Sequence, residues 1–268
     1  MKVDNKIIVV TGGGSGIGRA LVLQLVDMGA RVAAIDKNEE TLHETWDLAG
    51  DYKDKISLHV GNVSDHKLVE SLPESVIEAH GAVDGLINNA GIIHPFVKFN
   101  DLKFENIEMV LDYNLYGQIY MTKAFLPLLL ERGEAHIVNV SSMGGFFPVP
   151  GQTLYGASKA AVKLLTEGLY AELIGTNVKV TVVFPGAVDT NIVENSGVVM
   201  EMPDDESAQN FTMLPAEVAA ETIIEGMERN KFQIYLGKDS NMMNILYRIH
   251  PRWATNFMFN QMKTLLPD

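Results

Sequence analysis

Tyr155 and Lys159 stand four residues apart in a stretch, Gln152–Ile174, whose apolar residues repeat with helical periodicity. The two side chains therefore share one helix face. A phenol at its ordinary pKa of about 10 is a poor acid or base near neutrality, but a fixed ammonium beside it favours the phenolate. Such a pair can exchange a proton with a carbonyl/alcohol oxygen. The chain has eight tyrosines, so this spacing alone also arises by chance. Its context is stronger: Ser141 and Ser142 end a β-rich run, His136–Val140, 13 residues before Tyr155.

A second group of residues suits phosphate. After the first β-rich run, Ile7–Val10, comes Thr11-Gly12-Gly13-Gly14-Ser15-Gly16-Ile17-Gly18, followed by the amphipathic stretch Arg19–Met28. Glycines at this point let backbone approach a pyrophosphate seated at a helix N-terminus. The spacing is G-x-x-x-G-x-G, and no lysine follows it as a nucleoside-triphosphate loop requires. A glycine-rich turn without a ligand is the plain alternative. Asp36 ends the second run, 18 residues past Gly18. A carboxylate near that offset binds the ribose hydroxyls of NAD and repels the extra phosphate of NADP. Lys37 beside it softens the repulsion, and Asp36 could instead cap the next helix.

These residues must be positioned by a frame, and the chain supplies one. Almost continuously apolar runs at Ile7–Val10, Val32–Ile35, Ile56–Val60, Gly85–Ile87, His136–Val140 and Val178–Phe184 alternate with helix-length segments. A helix is expected from Pro215 to Arg229 and a last strand at Gln233–Leu236. The pattern predicts an α/β protein: a doubly wound, mostly parallel, seven-stranded sheet with helices on both faces. One domain over residues 1–268 is expected, with a loop at 190–213 and a helical tail at 238–268. The glycine loop, Asp36, Asn62, Asn88–Gly91, Ser142 and Pro185–Thr190 all follow the carboxyl ends of predicted strands. Ligands of open parallel sheets bind along that edge.

Composition narrows the function further. The 268 residues are 47% hydrophobic and 21% charged, the balance of a globular protein. Their 34 acidic and 21 basic residues leave a charge of −13, which disfavours nucleic acid as a partner. The absence of cysteine removes thiolate catalysis, thiolate metal sites and disulfides. His94, His136 and His250 are isolated, so no metal site is expected and they read as packing or surface residues. His94 is near enough to Asn88–Gly91 to touch substrate. The opening apolar run is four residues long, too short for a signal peptide, and a cytoplasmic protein is expected.

Taken in order, TGGGSGIG at 11–18, NNAG at 88–91, Asn114, Ser142, YGASK at 155–159 and PG at 185–186 resemble the short-chain dehydrogenase/reductase family. The likeness runs from residue 6 to about 236 and is to the compact type. It implies a Rossmann-type fold and an NAD(P)-dependent oxidoreductase, with NAD the expected cofactor. Tyr155 would be the acid/base, Lys159 would lower its pKa and bind the nicotinamide ribose, Ser142 would bind the substrate oxygen, and Asn114 would hold a water in a proton relay. Gly12, Ser15, Gly16, Ile17 and Gly18 would line the pyrophosphate. Asn62 and Val63 would flank adenine, with Asn62 replacing the family's frequent aspartate. Asn88, Ala90, Gly91, Pro185 and Gly186 would support the cofactor, and Val188 and Thr190 would hold the nicotinamide carboxamide. Members that prefer NADP often carry a basic residue where Ser15 stands.

The substrate would lie beyond the nicotinamide, walled by Ile93, Met143, Phe146, Phe147, Met200 and Phe211. Apolar residues with adaptable methionines and no arginine suit a bulky hydrophobic secondary alcohol or ketone, such as a steroid, retinoid, terpenoid or long-chain carbonyl. Core or subunit packing is the alternative for these side chains. From Lys238 to Asp268 four basic residues face two acidic ones, so this tail carries +2 and the remainder −15. Its apolar residues follow helical spacing, which fits a pocket lid, a subunit contact in a homodimer or homotetramer, or a peripheral membrane contact. A catalytically silent NAD-binding sensor and a membrane-associated scaffold are the competing functions.

Overall fold

The computed structural model describes residues 1–198 and 213–263. Parallel strands β1 (Ile7–Thr11), β2 (Arg31–Asp36), β3 (Ile56–Val60), β4 (Gly85–Asn88), β5 (Ala135–Val140) and β6 (Val178–Pro185) are joined by helical crossovers. The helices are α1 (Gly16–Asp27), α2 (Glu39–Leu48), α3 (His66–His80), α4 (Phe104–Leu111), α5 (Gly117–Leu130) and α6 (Thr153–Glu172). Two-residue strands β7 (Val188–Asp189) and β8 (Leu214–Pro215) pair with each other, and the short helix α7 (Ile192–Asn195) lies between them in sequence. Then follow α8 (Ala216–Glu228), β9 (Gln233–Leu236), α9 (Gly237–Ile249) and α10 (Pro251–Met262).

Strand order in the main sheet is β3-β2-β1-β4-β5-β6-β9, all parallel. The order reverses between β1 and β4, so the crossovers from β1 and β4 diverge and open a crevice at their carboxyl ends. All five β1 residues and all six of β5 are buried, because helices cover both faces. On one face α1 and α8 pack Leu21, Leu25, Ile223 and Met227 against Ile8, Val10 and Val183. On the other α3 and α5 pack Val69, Val76, Phe125 and Leu129 against Val9, Leu86 and Ile137. Each such aliphatic or aromatic side chain contributes roughly 1.5–3 kcal/mol on burial.

Helix α4 passes into α5 through a π-helical turn, Asp112–Tyr116, which carries the buried Asn114. The sequence shows no signal for this widened turn, which often marks functional positions. Among the described residues, no helix is long and apolar enough to cross a membrane.

Candidate active site

The glycine loop leaves α1 with an open N-terminus. Ser15, the residue before the helix, makes no capping bond to it, and the first turn holds no acid. Helices α2 and α3, by contrast, are capped by Asn38 and Asp65. The uncapped end of α1 therefore presents backbone N–H groups to an anion. Two glycines are obligatory here. Gly12 has φ +71, and a Cβ on Gly18 would stand 1.8 Å from the Gly12 carbonyl oxygen. Ile17 packs its side chain into the core. Ser15 Oγ accepts from Asn195 Nδ2 at 2.8 Å, and a Cβ on Gly16 would meet Thr190 Cγ2 at 3.0 Å. The segment after β6 thus folds over the loop.

Asp36 ends β2 beside this loop. Its Oδ2 accepts from Gly14 N at 2.9 Å and its Oδ1 from Asn38 N at 3.0 Å. The cap of α2 is Asn38, so Asp36 is not needed for that role, and its carboxylate keeps free lone pairs. Arg19 was not singled out by sequence, yet its guanidinium grips Gly14 O at 2.6 Å and pairs with Glu44 at 2.7 Å. Lys37 lies over the Tyr113 ring, 4.9 Å from its centroid. Both cations of this corner are therefore engaged within the protein. Asn62 Oδ1 accepts from the N and Oγ of Ser64, each at 2.9 Å, and Val63 is buried against Gly117.

Thr11 ties the neighbouring strand end into place. Its Oγ1 accepts from the Asn89 and Ala90 N–H groups, each at 3.0 Å, and its carbonyl from Asn89 Nδ2 at 3.0 Å. Asn88 points the other way, donating to Thr122 Oγ1 at 3.1 Å and Asn139 Oδ1 at 2.8 Å. Asn139 donates in turn to Thr166 Oγ1 at 3.0 Å, so β4, β5, α5 and α6 share one buried polar chain. Deleting one partner of such a chain costs about 1–3 kcal/mol through the group left unpaired.

Tyr155, Lys159, Ser142 and Asn114 meet at the carboxyl ends of β4 and β5. Lys159 is buried, and its Nζ donates to Val140 O at 3.0 Å. That nitrogen lies 5.9 Å from the centroid of the Tyr155 ring. Ser141 Oγ donates to the Lys159 carbonyl at 2.7 Å, fixing α6 to β5. Ser142 Oγ accepts from Gly144 N at 3.0 Å, which leaves its proton to donate toward the crevice. A Cβ on Gly144 would touch Ser142 Oγ and the Tyr155 ring, each at 3.5 Å, so hydroxyl and phenol flank one another. Asn114 Oδ1 accepts from Ile92 N at 2.8 Å, while Nδ2 donates to Ile92 O at 2.9 Å and Ser158 Oγ at 3.1 Å. Both amide hydrogens are thus engaged, tying the segment after β4 to α6, while Oδ1 keeps one lone pair. A Cβ on Gly91 would lie 3.0 Å from Lys159 Nζ and 3.1 Å from Asn114 Oδ1. Burial lowers the Lys159 ammonium to about 8. Burial also pushes the Tyr155 phenol up, and the neighbouring Ser142 hydroxyl pulls it partly back.

The Pro185–Gly186 turn is held from an unforeseen direction. Asp239, in the first turn of α9, accepts from Ala187 N at 2.7 Å, and Ser240 Oγ donates to Phe184 O at 2.8 Å. A Cβ on Gly186 would fall 2.2 Å from Asp239 Oδ2. Val188 lies in β7, paired with Leu214. The one sequence hint of this clasp was an acid at the start of an otherwise basic helix.

Of the substrate-wall residues, Ile93 is buried, and its N–H donates to Ser196 Oγ at 3.0 Å. Phe147 is buried with Met243, Ala254 and Met258, and Met143 and Phe146 pack against that cluster. Phe146 also stands edge-on to Phe184 and Tyr235. A cleft of about 300 Å³ is lined by the 144–149 segment, the start of α6 and Tyr247. Tyr155, Ser142 and Lys159 do not line it. Met200 and Phe211 lie outside the described residues. His94 and His136 are buried and His250 exposed. Among the described residues no cluster of metal-binding side chains occurs.

A Gly-rich loop under an open helix end, an acid at the next strand and a Ser–Tyr–Lys group on one sheet edge define a nucleotide-dependent oxidoreductase. The chain belongs to the short chain dehydrogenase family, whose model matches residues 6–198. It is accordingly an NAD(P)-dependent dehydrogenase or reductase. It is 34% identical over 256 residues to an oxidoreductase named SadH from Mycobacterium tuberculosis, covering 92% of this chain and 91% of that one. It is 36% identical over 194 residues to the 3-oxoacyl-(acyl-carrier-protein) reductase FabG of Thermotoga maritima, covering 72% and 78%. A short chain dehydrogenase/reductase from Burkholderia phymatum, solved in complex with NAD, superimposes with a TM-score of 0.85 at 26% identity, covering 94% of this chain and 96% of that one.

Proposed function

We propose that this oxidoreductase prefers NAD and acts on a bulky hydrophobic secondary alcohol or ketone, with Tyr155 as its acid/base. The observation that carries the reading is the buried Lys159 ammonium beside a phenol flanked by Ser142. Val140 O holds the lysine nitrogen, and Ser141 fixes its helix.

The residues present fit a nicotinamide dinucleotide. The open end of α1 suits the pyrophosphate, and Asp36 retains lone pairs for ribose hydroxyls. Gly91 leaves room beside Lys159 that a larger side chain would fill. When bound, the cofactor supplies the hydride acceptor or donor. Ser142 donates its proton to the substrate oxygen and stabilises negative charge there. Tyr155 takes the hydroxyl proton in the oxidising direction and returns it in the reducing direction. The Lys159 ammonium lies beside the phenol and favours its anion electrostatically. Preference for NAD is supported by Asp36, by a neutral Ser15, and by the engagement of Arg19 and Lys37 with other groups. A hydrophobic substrate is supported by Ile93, Met143 and Phe146, and by the lack of a free arginine among the described wall residues.

Titration with NADH and NADPH, followed by turnover of lipophilic alcohols and ketones, tests this reading. Tighter NADH binding and turnover abolished by Tyr155→Phe are expected. NADH binding without turnover on any such substrate would overturn the catalytic assignment in favour of a cofactor sensor.

A further inference from the structure

Helices α9 and α10 have two unlike faces. One packs Met243, Leu246, Tyr247 and Met258 onto Phe147 and its neighbours. The other leaves Met242, Ile245, Ile249 and Trp253 uncovered; Ile249 is 72% exposed and Trp253 52%. Met242, Ile245 and Ile249 are spaced three and four residues apart along α9, and Trp253 is exposed in the first turn of α10, beyond the non-helical His250. Arg248 and Arg252 are exposed within this stretch, and Lys238 and Lys263 stand near its ends. Asp239 is the only acid between residues 237 and 263, and it is turned inward onto Ala187 N. The outer face of the tail is therefore apolar and basic on a protein whose remaining residues sum to −15.

We infer that this face docks on the surface of an anionic phospholipid bilayer. A purely basic patch would suit any polyanion, and a purely apolar one would suit another protein. Alternating aliphatic, tryptophan and arginine side chains match the boundary between acyl chains and anionic headgroups. Arginines reach headgroup phosphate while Ile245, Ile249 and Trp253 enter the hydrocarbon margin. The acidic body is repelled by the same surface, which orients the molecule tail-down. A two-fold copy of the chain fits less well, because it would set this basic face against itself. The inner face of the same helices packs on Met143, Phe146 and Phe147, so docking brings that wall close to the lipid. The inference does not depend on the substrate reading.

The test is co-sedimentation of the full chain with phosphatidylcholine vesicles, with and without phosphatidylglycerol. Alongside it, Trp253 emission is followed in a Trp46→Phe background. Binding to the anionic vesicles only, with a blue shift of Trp253, is expected. Arg248→Glu with Arg252→Glu should lower partition roughly thirtyfold or more. Ile245→Ser with Ile249→Ser should abolish the blue shift; both pairs are exposed, so the circular dichroism spectrum and melting temperature should be retained. Failure to partition onto anionic vesicles at low salt would overturn the inference. So would a Trp253 shift that appears without vesicles and grows with protein concentration, which would assign the face to a second copy.

Discussion

Buried histidines make this fold sensitive to mild acid. His136 lies fully buried in β5, its Nε2 2.8 Å from Thr181 Oγ1. That hydroxyl donates its single proton to Lys231 O at 2.6 Å, so it accepts from the ring and Nε2 carries the hydrogen. Nδ1 is buried without a partner, and protonating it would create a cation with a donor facing nothing. Burial, helped by the N-terminal ammonium and Lys179, holds His136 at about 3. Burial, Arg31 and His59 hold His80 at about 4. Both values lie below the unfolded 6.5, so the unfolded chain binds more protons in between. The stability from the neutral rings is complete above pH 6.5 and is lost as pH falls toward 4. At pH 5 His136 removes about 2 kcal/mol relative to pH 7, and the less enclosed His80 a smaller amount in the same direction. That is a large share of a typical total of about 5–15 kcal/mol. Urea unfolding at pH 7 and pH 5 measures the loss. In His136→Gln the difference between the two pH values should shrink by about 2 kcal/mol, whatever the variant's absolute stability. An unchanged difference would refute the reasoning.

Other outcomes follow from the site. Gly91→Ala sets a methyl group against Lys159 Nζ and Asn114 Oδ1, and should lower kcat on the order of a hundredfold with little change in melting temperature. Gly18→Ala drives a Cβ into the Gly12 carbonyl and should abolish NADH binding, read by fluorescence titration. Asp239→Ala leaves Ala187 N–H without its acceptor; a loss of about 1–3 kcal/mol in urea unfolding is expected, with KM for the cofactor raised more than kcat is lowered. Asp239→Asn keeps an acceptor and should recover most of that loss.

The strands and helices were readable because each β-run is continuously apolar and each crossover has a helical period. The run Ile7–Val10 and the whole of the last strand, Gln233–Leu236, agree with the fold to within a residue. Positions where only glycine fits, by its positive φ at Gly12 or by the close approach of a carbonyl at Gly18, were equally visible. Arg19, Asn139, Gln118 and Asp239 were not, because their roles arise from contacts between segments distant in sequence. Gln118 donates to the same Val140 carbonyl that Lys159 uses, yet nothing near residue 118 in sequence signals it. The substrate wall was read from hydrophobicity, which does not distinguish Phe147, packed under the tail helices, from a side chain facing a ligand.

The clasp of Asp239 and Ser240 on the Pro185–Gly186 turn also ties that turn to local opening of the tail. Both clasping side chains stand in the first turn of α9, so the turn keeps its partners only while that helix end is docked. Opening of α9 alone would leave the strands of the main sheet and the Tyr155 helix in place, yet free Ala187 N–H and Phe184 O together. Hydrogen exchange at the Ala187 amide therefore reports how often the start of α9 lifts from the sheet edge.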